Sequence, residues 1–313
     1  MTDTAEPPRE GSLDAPVRHP LDWQNPEFYD ADAFDKEFRR QAEVCNSCRR
    51  CFNLCDSFPT LFDAVDESEN FEVDDLTKAD IKATVDGCTL CDMCFLTKCP
   101  YVPPHEFNID FPHLMLRYRA IQQKAGDIAF ADNQLVKTDR NGTMARPVAG
   151  LVNWATDRKN RGVRTLINTL GDIHPDAELP KFNTRTLASR ARKPRDINAE
   201  APAFGKRKVA VFATCFGEYN KPEIGEAALA VLARNGIDAD VVYPGCCGMP
   251  ELEQGNLDAV AAKARKVAKA LRPMVEDGYT IMGLVPSCSL MLKFEWPLIL
   301  PDDANVQALS AAT

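Results

Sequence analysis

The sequence lacks the features of a secreted, membrane-spanning or nucleic-acid-binding protein. None of its apolar runs approaches the roughly 20 residues that span a bilayer, and residues 1–23 are acidic and proline-rich, without the apolar stretch of a signal peptide. Acidic residues outnumber basic ones by 46 to 37, and the resulting net charge of −9 disfavours binding to phosphate backbones. No glycine-rich dinucleotide loop follows any predicted strand. We therefore expect a cytoplasmic protein without a transmembrane segment, a nucleic-acid partner, or a bound NAD or flavin of its own.

What the sequence does contain is cysteine: twelve residues, of which eight lie in two short runs. The runs are "CNSCRRCFNLC", residues 45–55, and "CTLCDMCFLTKC", residues 88–99. Because thiols stay reduced in the cytoplasm, clustered cysteines there bind metal more often than they form disulfides. The two runs therefore indicate metal sites.

The spacing within the runs is typical of ferredoxin-type 4Fe–4S clusters, C-x2-C-x2-C-x3-C. The first run has Asp56 where a proline usually follows, and the second has one extra residue before Cys99, but neither departure removes a ligand. Structural zinc sites usually pair two C-x2-C knuckles and do not need this pattern. In the ferredoxin pattern a tight loop brings the first three cysteines of a run to one cluster, and the fourth cysteine reaches the neighbouring cluster. The predicted ligands are Cys45, Cys48, Cys51 and Cys99 for one cluster, and Cys88, Cys91, Cys94 and Cys55 for the other.

Helices are predicted on both sides of the cysteine runs. One is expected near residues 30–44, and another in the second half of the acidic connection between the runs, ending at Gly87. Asp110 followed by Pro112 is a further helix start. Residues 146–172 are helical in pattern, whereas residues 181–208 are basic and poorly patterned and suggest a linker.

From residue 206 onward, strands alternate with helices. The stretches "KVAVFATC", "DADVVYPGCCG" and "YTIMGLVPSC" are predicted to be strands that run into cysteine, and helices are predicted between them. Such alternation indicates parallel βαβ units, whose ligands gather beyond the carboxyl ends of the strands. The second intervening helix is expected to have one apolar face. That face comprises Leu257, Val260, Ala261, Ala264, Val267, Ala268 and Leu271.

Two stretches resemble known domains. Residues 41–125 resemble the α-helical ferredoxin domain of the succinate dehydrogenase iron–sulfur subunit and of heterodisulfide reductase subunits. The stretch "CFGEYNKPEIGEAALAVLARNGIDADVVYPGCCGMPELEQGN", with "PSCSLM", resembles the CCG, or cysteine-rich, domain. The two domains occur together in the anaerobic glycerol-3-phosphate dehydrogenase C subunit, in glycolate oxidase iron–sulfur subunits and in heterodisulfide reductase.

The resemblance implies an α+β multidomain protein: an α-helical two-cluster ferredoxin domain followed by an α/β cysteine-rich (CCG) domain with a parallel sheet. It also implies a third iron–sulfur cluster, although Met291 stands where heterodisulfide reductase has a further cysteine. Buried free cysteines at the strand ends are the alternative. The four cysteines concerned are Cys215, Cys246, Cys247 and Cys288. The expected segments are an N-terminal extension at 1–40, the ferredoxin domain at 41–125, a helical segment and basic linker at 126–205, and a single CCG domain at 206–313.

The function implied is single-electron transfer between two 4Fe–4S clusters and the CCG-domain cluster. The expected partner is a flavoprotein dehydrogenase, a quinone-linked protein that would provide peripheral membrane association, or a rubrerythrin-like protein. One alternative is a catalytic disulfide or heterodisulfide reductase subunit, which needs an open coordination position. Another is a metal-stapled interaction module without a redox role.

Overall fold

The computed structural model describes residues 15–313, so the first part of the predicted N-terminal extension lies outside the described residues. The chain divides into two compact units between Asp127 and Ile128. The first unit is helical, and the second combines helices with a small parallel sheet. This confirms the predicted fold class. Within residues 15–313, no helix has the length and apolar character needed to cross a bilayer.

The first unit is built from helices joined by short turns. They are α1 (Ala31–Cys48), α2 (Ser57–Asp66), α3 (Lys78–Asp86) and α4 (Phe111–Ala125), with 3₁₀ turns at Pro26–Tyr29 and Val73–Asp75 and a π-helical turn at Cys94–Lys98.

Side-chain caps explain where these helices begin. The Asp30 carboxylate caps α1, and Thr77 and Asp80 form a capping box at the start of α3. Such caps satisfy backbone N–H groups that have no partner within the helix. The predicted end of α3 at Gly87 and the predicted start of α4 after Asp110 are both confirmed.

Aromatic side chains fill the core of the first unit. Helix α1 packs on α4, and α2 packs on α3. Phe38, Phe58 and Met115 are buried at these contacts. The Phe58 and Phe111 rings stack with their centroids 4.7 Å apart. The core thereby holds the cysteine-bearing end of α1 and the start of α2 close to residues 88–99.

The second unit begins with short helices and continues into a sheet with longer helices around it. Its helices are α5 (Phe130–Leu135), α6 (Thr138–Ala145), α7 (Ala149–Ala155), α8 (Arg161–Gly171), α9 (Leu187–Arg190), α10 (Pro222–Arg234), α11 (Met249–Glu253), α12 (Leu257–Glu276), α13 (Pro286–Leu290), α14 (Trp296–Ile299) and α15 (Ala304–Ala312), with a 3₁₀ turn at Arg146–Val148 and π-helical turns at Phe216–Asn220 and Met291–Glu295.

The sheet has three parallel strands, β1 (Lys208–Phe212), β2 (Asp240–Val242) and β3 (Tyr279–Gly283), with β1 in the middle. Ala210 of β1 lies opposite Asp240 and opposite Ile281. Because the strands are parallel, their carboxyl ends lie along one edge of the sheet. The predicted apolar face of α12 is confirmed, since all seven of its residues are buried.

Residues 181–208, which the sequence suggested as a linker, pack against this sheet unit. Leu187 is fully buried, and a Cβ at Gly225 of α10 would stand 2.1 Å from a Leu187 methyl carbon. Arg195 donates to the Ala239 carbonyl and to Asp238, at 2.7 Å in each case. The segment shows no periodicity because its backbone is irregular and is held by individual contacts.

Candidate functional site

The first cysteine run lies at the end of a helix. Cys45 and Cys48 occupy the last turn of α1, three residues apart and therefore on the same face. The helix ends at Arg49, whose left-handed φ of 47° turns the chain before Cys51. The expectation of a tight loop around all three cysteines is therefore wrong for the first two. Helix α1 continues through the first two cysteines of the motif and ends only after Cys48.

Four thiols meet in one cavity of the first unit. The cavity has an empty volume of about 310 Å³, including space open to solvent, and apolar walls formed by Phe58, Phe62 and Ile109 among others. Its sulfur-bearing residues are Cys45, Cys48, Cys51 and Cys99. The cavity thus joins three cysteines of the first run with the last cysteine of the second.

The four cysteines of this cavity would repel one another as thiolates unless a positive centre lay between them. Burial raises the pKa of the Cys45 thiol well above its usual value, and the neighbouring thiolates of Cys99, Cys51 and Cys48 raise it further. Several thiolates in one apolar cavity need a positive centre between them. Within residues 15–313, no three His, Cys, Asp or Glu side chains converge as they would around one metal ion. The donor set and the cavity fit a multi-iron group.

The second run is placed against the first by a close backbone crossing. A Cβ at Gly87 would stand 2.9 Å from the Ser57 backbone nitrogen, so the start of α2 and the end of α3 touch. Cys55 lies two residues before Ser57, and Cys88 directly follows Gly87. Burial raises the pKa of Cys88 to about 11, and the charge of Cys55 contributes to that rise.

The remaining cysteines of the second run follow an irregular backbone. Leu90 and Asp92, on either side of Cys91, both have left-handed φ angles, of 48° and 60°. Cys94 begins the π-helical turn. Burial is the main cause that raises the pKa of the Cys94 thiol, and repulsion from the Cys88 thiolate raises it further. Cys88 and Cys94 are thus close neighbours, and the charge of Cys91 adds to the rise in the pKa of Cys88.

An arginine outside both runs fixes the loop of the second run. The Arg18 guanidinium donates to Asp92 at 2.6 Å and to Asp110, the cap of α4, at 2.8 Å. The Arg18 side chain is largely buried, and it stacks over the Phe95 ring with 4.7 Å between the guanidinium carbon and the ring centroid. Sequence reasoning missed Arg18, because one arginine in a proline-rich arm has no local pattern that points to a loop 74 residues away.

The cysteines of the second unit gather at the carboxyl edge of its sheet. Cys215 follows β1, Cys246 and Cys247 follow β2, and Cys288 lies in α13 after β3. The Cys215 and Cys246 sulfurs are 3.7 Å apart, and the Cys247 and Cys288 sulfurs are 3.2 Å apart. Cys215 is partly exposed and the other three cysteines are buried.

After β1 and after β2, the chain turns in an unusual backbone conformation next to the cysteines. Thr214 has a φ of 62°, which is strained for a β-branched residue, and its hydroxyl accepts the Gly217 N–H at 3.0 Å. Gly245 and Gly248, on either side of the cysteine pair, have φ angles of 155° and 85°. Strained backbone and π-helical turns occur preferentially at functional sites.

Negative charge in the cysteine-rich site concentrates on one sulfur. Hydrogen bonds from Cys215 and then Cys247 lower the pKa of the Cys246 thiol, and the nearby Lys263 ammonium lowers it further. The hydrogen bond with Cys246 raises the pKa of Cys215 and also that of Cys247, and burial raises both further. Lys263 is itself paired with the buried Glu251.

Two further residues at this site come from α6, a helix that sequence reasoning did not associate with it. The Asp139 carboxylate accepts the Cys246 N–H at 3.0 Å and also accepts the Tyr243 hydroxyl. The buried Thr138 hydroxyl has no hydrogen-bond partner of good geometry, and it lies close enough to Cys215 and Cys246 to favour their thiolates. No motif signals either residue, because the contacts span about a hundred positions of sequence.

Comparisons with known proteins identify both domains. Residues 37–125 match the Fer4-like domain of citrate utilization protein B, and residues 209–293 match the cysteine-rich domain, which confirms the resemblance inferred from the motifs. No solved structure matches the chain.

Among curated proteins, the chain is 30% identical over 171 residues to the C subunit of anaerobic glycerol-3-phosphate dehydrogenase from Escherichia coli K12, which covers 54% of this chain and 42% of that relative. It is 35% identical over 98 residues to citrate utilization protein B of Escherichia coli, covering 31% of this chain and 23% of that protein. It is also 33% identical over 92 residues to the B subunit of fumarate reductase (CoM/CoB) from Methanothermobacter marburgensis, covering 29% and 18%. The chain therefore has the domains of iron–sulfur subunits linked to oxidoreductases, but it spans less than half the length of these relatives.

Proposed function

We propose that this chain is an electron-transfer subunit of an oxidoreductase, with two 4Fe–4S clusters in its first unit and a third iron–sulfur centre in its second. The clusters would accept and release one electron at a time. The chain would serve a redox partner that carries out the substrate chemistry.

The observation that carries this proposal is the cavity shared by the two cysteine runs. Cys99 is 48 positions beyond Cys51, yet both line the same apolar cavity with Cys45 and Cys48. This grouping is the crossed ligand assignment expected of a two-cluster ferredoxin pattern. The close approach of Gly87 to Ser57 supports the reciprocal group of Cys55 with the second run.

A flavoprotein dehydrogenase is the favoured partner. One similar protein is by name part of an anaerobic glycerol-3-phosphate dehydrogenase, and another is part of a fumarate reductase. The sequence has no glycine-rich dinucleotide loop, so a hydride-accepting cofactor is expected on the partner. A quinone-linked or rubrerythrin-like partner is the second choice.

The test uses matched cysteine variants of the full chain, purified anaerobically. Wild-type protein should be brown, should bleach with dithionite, and should contain iron for two cubane clusters and one further centre. Cys99→Ser should alter the electron paramagnetic resonance signal of the cluster held by the first run, and Cys55→Ser the signal of the other cluster. Each variant is the control for its counterpart. A colourless protein that binds zinc overturns the redox function, and loss of the same cluster in both variants overturns the crossed assignment.

Disulfide reduction is a second candidate function, and the exposure of one thiol in the cysteine-rich site favours it. Cys215 is partly exposed and lies 3.7 Å from the buried Cys246 sulfur, so a substrate disulfide can approach one thiol of a pair. Two electrons from reduced viologen and two protons would convert one disulfide to two thiols. Oxidation of the viologen by a soluble disulfide, lost in Cys215→Ser, supports this activity. The absence of such oxidation with fully loaded protein overturns it.

A further inference from the structure

Helix α6 lies outside both matched domains, yet it reaches the cysteine-rich site. We propose that Thr138 and Asp139, at the start of this helix, are positioning residues that shift the reduction potential of the iron–sulfur centre held by the cysteine-rich site in opposite directions. This inference rests on the proposed third centre.

Asp139 acts on the loop that carries the adjacent cysteines. Its carboxylate accepts the Cys246 N–H at 3.0 Å and the Tyr243 hydroxyl, and its Oδ2 would stand 3.6 Å from a Cβ added at Gly245. Without Asp139, the Cys246 N–H would be free to donate to a sulfur of the centre. Asp139 therefore fixes the loop, removes one donor from the centre and adds a negative charge beside it.

Both the added charge and the lost donor disfavour the reduced state. Reduction adds negative charge to an iron–sulfur centre, so a nearby carboxylate lowers its potential, and a hydrogen-bond donor to its sulfurs raises it. Tyr243 holds the carboxylate in place by its hydroxyl. Asp139 is thus expected to lower the potential.

Thr138 is expected to act in the opposite direction. Its hydroxyl is buried and lacks a hydrogen-bond partner of good geometry, which is unfavourable unless something accepts from it. The sulfurs of Cys215 and Cys246 lie close enough to the Thr138 hydroxyl to accept from it. When the centre is bound and these are thiolates, the hydroxyl can donate to sulfur and raise the potential.

The position of α6 is set independently of these two residues. A Cβ at Gly142 would stand 2.4 Å from the Tyr219 ring, so the helix packs directly on that ring through its glycine. Tyr219 belongs to the π-helical turn that follows Cys215, and its ring meets the Tyr243 ring edge-on, with 5.7 Å between the ring centroids. Substitutions at Thr138 and Asp139 should therefore leave the helix in place.

The experiment is a potentiometric titration of the third centre in full-length protein purified anaerobically, followed by electron paramagnetic resonance. Asp139→Asn should raise the midpoint potential, and Thr138→Val should lower it, with the iron content unchanged. Asp139→Glu, which keeps the charge, should stay nearer the wild-type potential than Asp139→Asn. Asp132→Asn on the exposed face of α5 and Thr169→Val on α8 are matched controls that should leave the potential unchanged.

The outcomes separate this inference from the proposed function. If the wild-type protein contains iron for two cubane clusters only, the third centre does not exist and both proposals for the site fail. If the third centre is present and the two variants leave its potential unchanged, or shift it in the same direction, the inference is overturned while the proposed function stands. Loss of the third centre in both variants also overturns it, since the residues would then be purely structural.

Discussion

At the scale of single residues, the cysteine-rich site depends on thiols whose surroundings differ. Cys246 and Cys247 are 0% and 1% exposed, whereas Cys215 is partly exposed. Adjacent cysteines cannot easily point at one small tetrahedral ion, but they can bind different irons of a larger cluster. The Trp296 indole donates to the Cys247 carbonyl at 3.0 Å and holds this part of the backbone.

We expect Cys246→Ser and Cys247→Ser each to remove the iron of the third centre, because each would lose one of four thiolate ligands. Iron analysis and electron paramagnetic resonance should show both cubane clusters retained. Cys48→Ser, in the other unit, is the control: it should disturb one cubane cluster and leave the third centre intact. Unchanged iron content in both variants at the cysteine pair would mean that these cysteines only fill the core.

Sequence reasoning singled out the cysteines, but it did not single out the residues that contact them. Cysteine spacing and strand-end position are local signals, and these pointed to all twelve thiols. Arg18, Thr138 and Asp139 act across long stretches of chain, and nothing in their neighbours distinguishes them from ordinary surface residues. Their roles arise only from tertiary packing.

At the scale of secondary structure, hydrophobic periodicity predicted the helices reliably, whereas the cysteine motif predicted the local backbone less well. Helix α12 buries the predicted face, and α10 lies between β1 and β2, where a helix was predicted. The first cysteine motif was expected in a loop, yet half of it continues α1, because C-x2-C spacing also suits one face of a helix. The strands are shorter than predicted, since the chain turns before each cysteine.

The crossing of α2 and α3 provides a test at this scale. Gly87→Ala should place a methyl group against the Ser57 backbone, where there is no space, and should lower the free energy of unfolding by about 1–3 kcal/mol. The two segments that separate would carry Cys55 and Cys88, so the signal of the second cluster should change more than that of the first. Denaturant titration and electron paramagnetic resonance measure the two effects.

Gly150→Ala is the control for that substitution. Gly150 lies in helix α7 and has nothing within 4 Å of a new Cβ. Alanine is favoured over glycine in a helix by roughly 0.5–1 kcal/mol, so this variant should be neutral or slightly more stable. If Gly87→Ala behaves in the same way, the crossing does not determine how the cysteine runs are paired.

At the scale of the whole molecule, the question is where the cysteine-rich unit begins. The sequence placed its start at residue 206, after a linker, and the matched domain begins at residue 209. In the structure the compact unit begins at Ile128. The additional residues cover Gly225 with Leu187 and bring Asp139 to the Cys246 backbone.

Two fragments distinguish these boundaries. Fragment 128–313 should fold and, after anaerobic reconstitution, bind iron at the cysteine-rich site, because it retains Leu187 and the start of α6. Fragment 206–313 should be far less stable, because it exposes the face of α10 that Leu187 covers and loses the carboxylate that holds Cys246. Full burial of one leucine side chain stabilises a protein by about 1.5–3 kcal/mol, and a small domain that loses this contact together with several hydrogen bonds is left with little stability. Thermal unfolding by circular dichroism and iron content measure both properties. Equal melting temperatures and equal iron content in the two fragments would show that the cysteine-rich unit does not need residues 128–205.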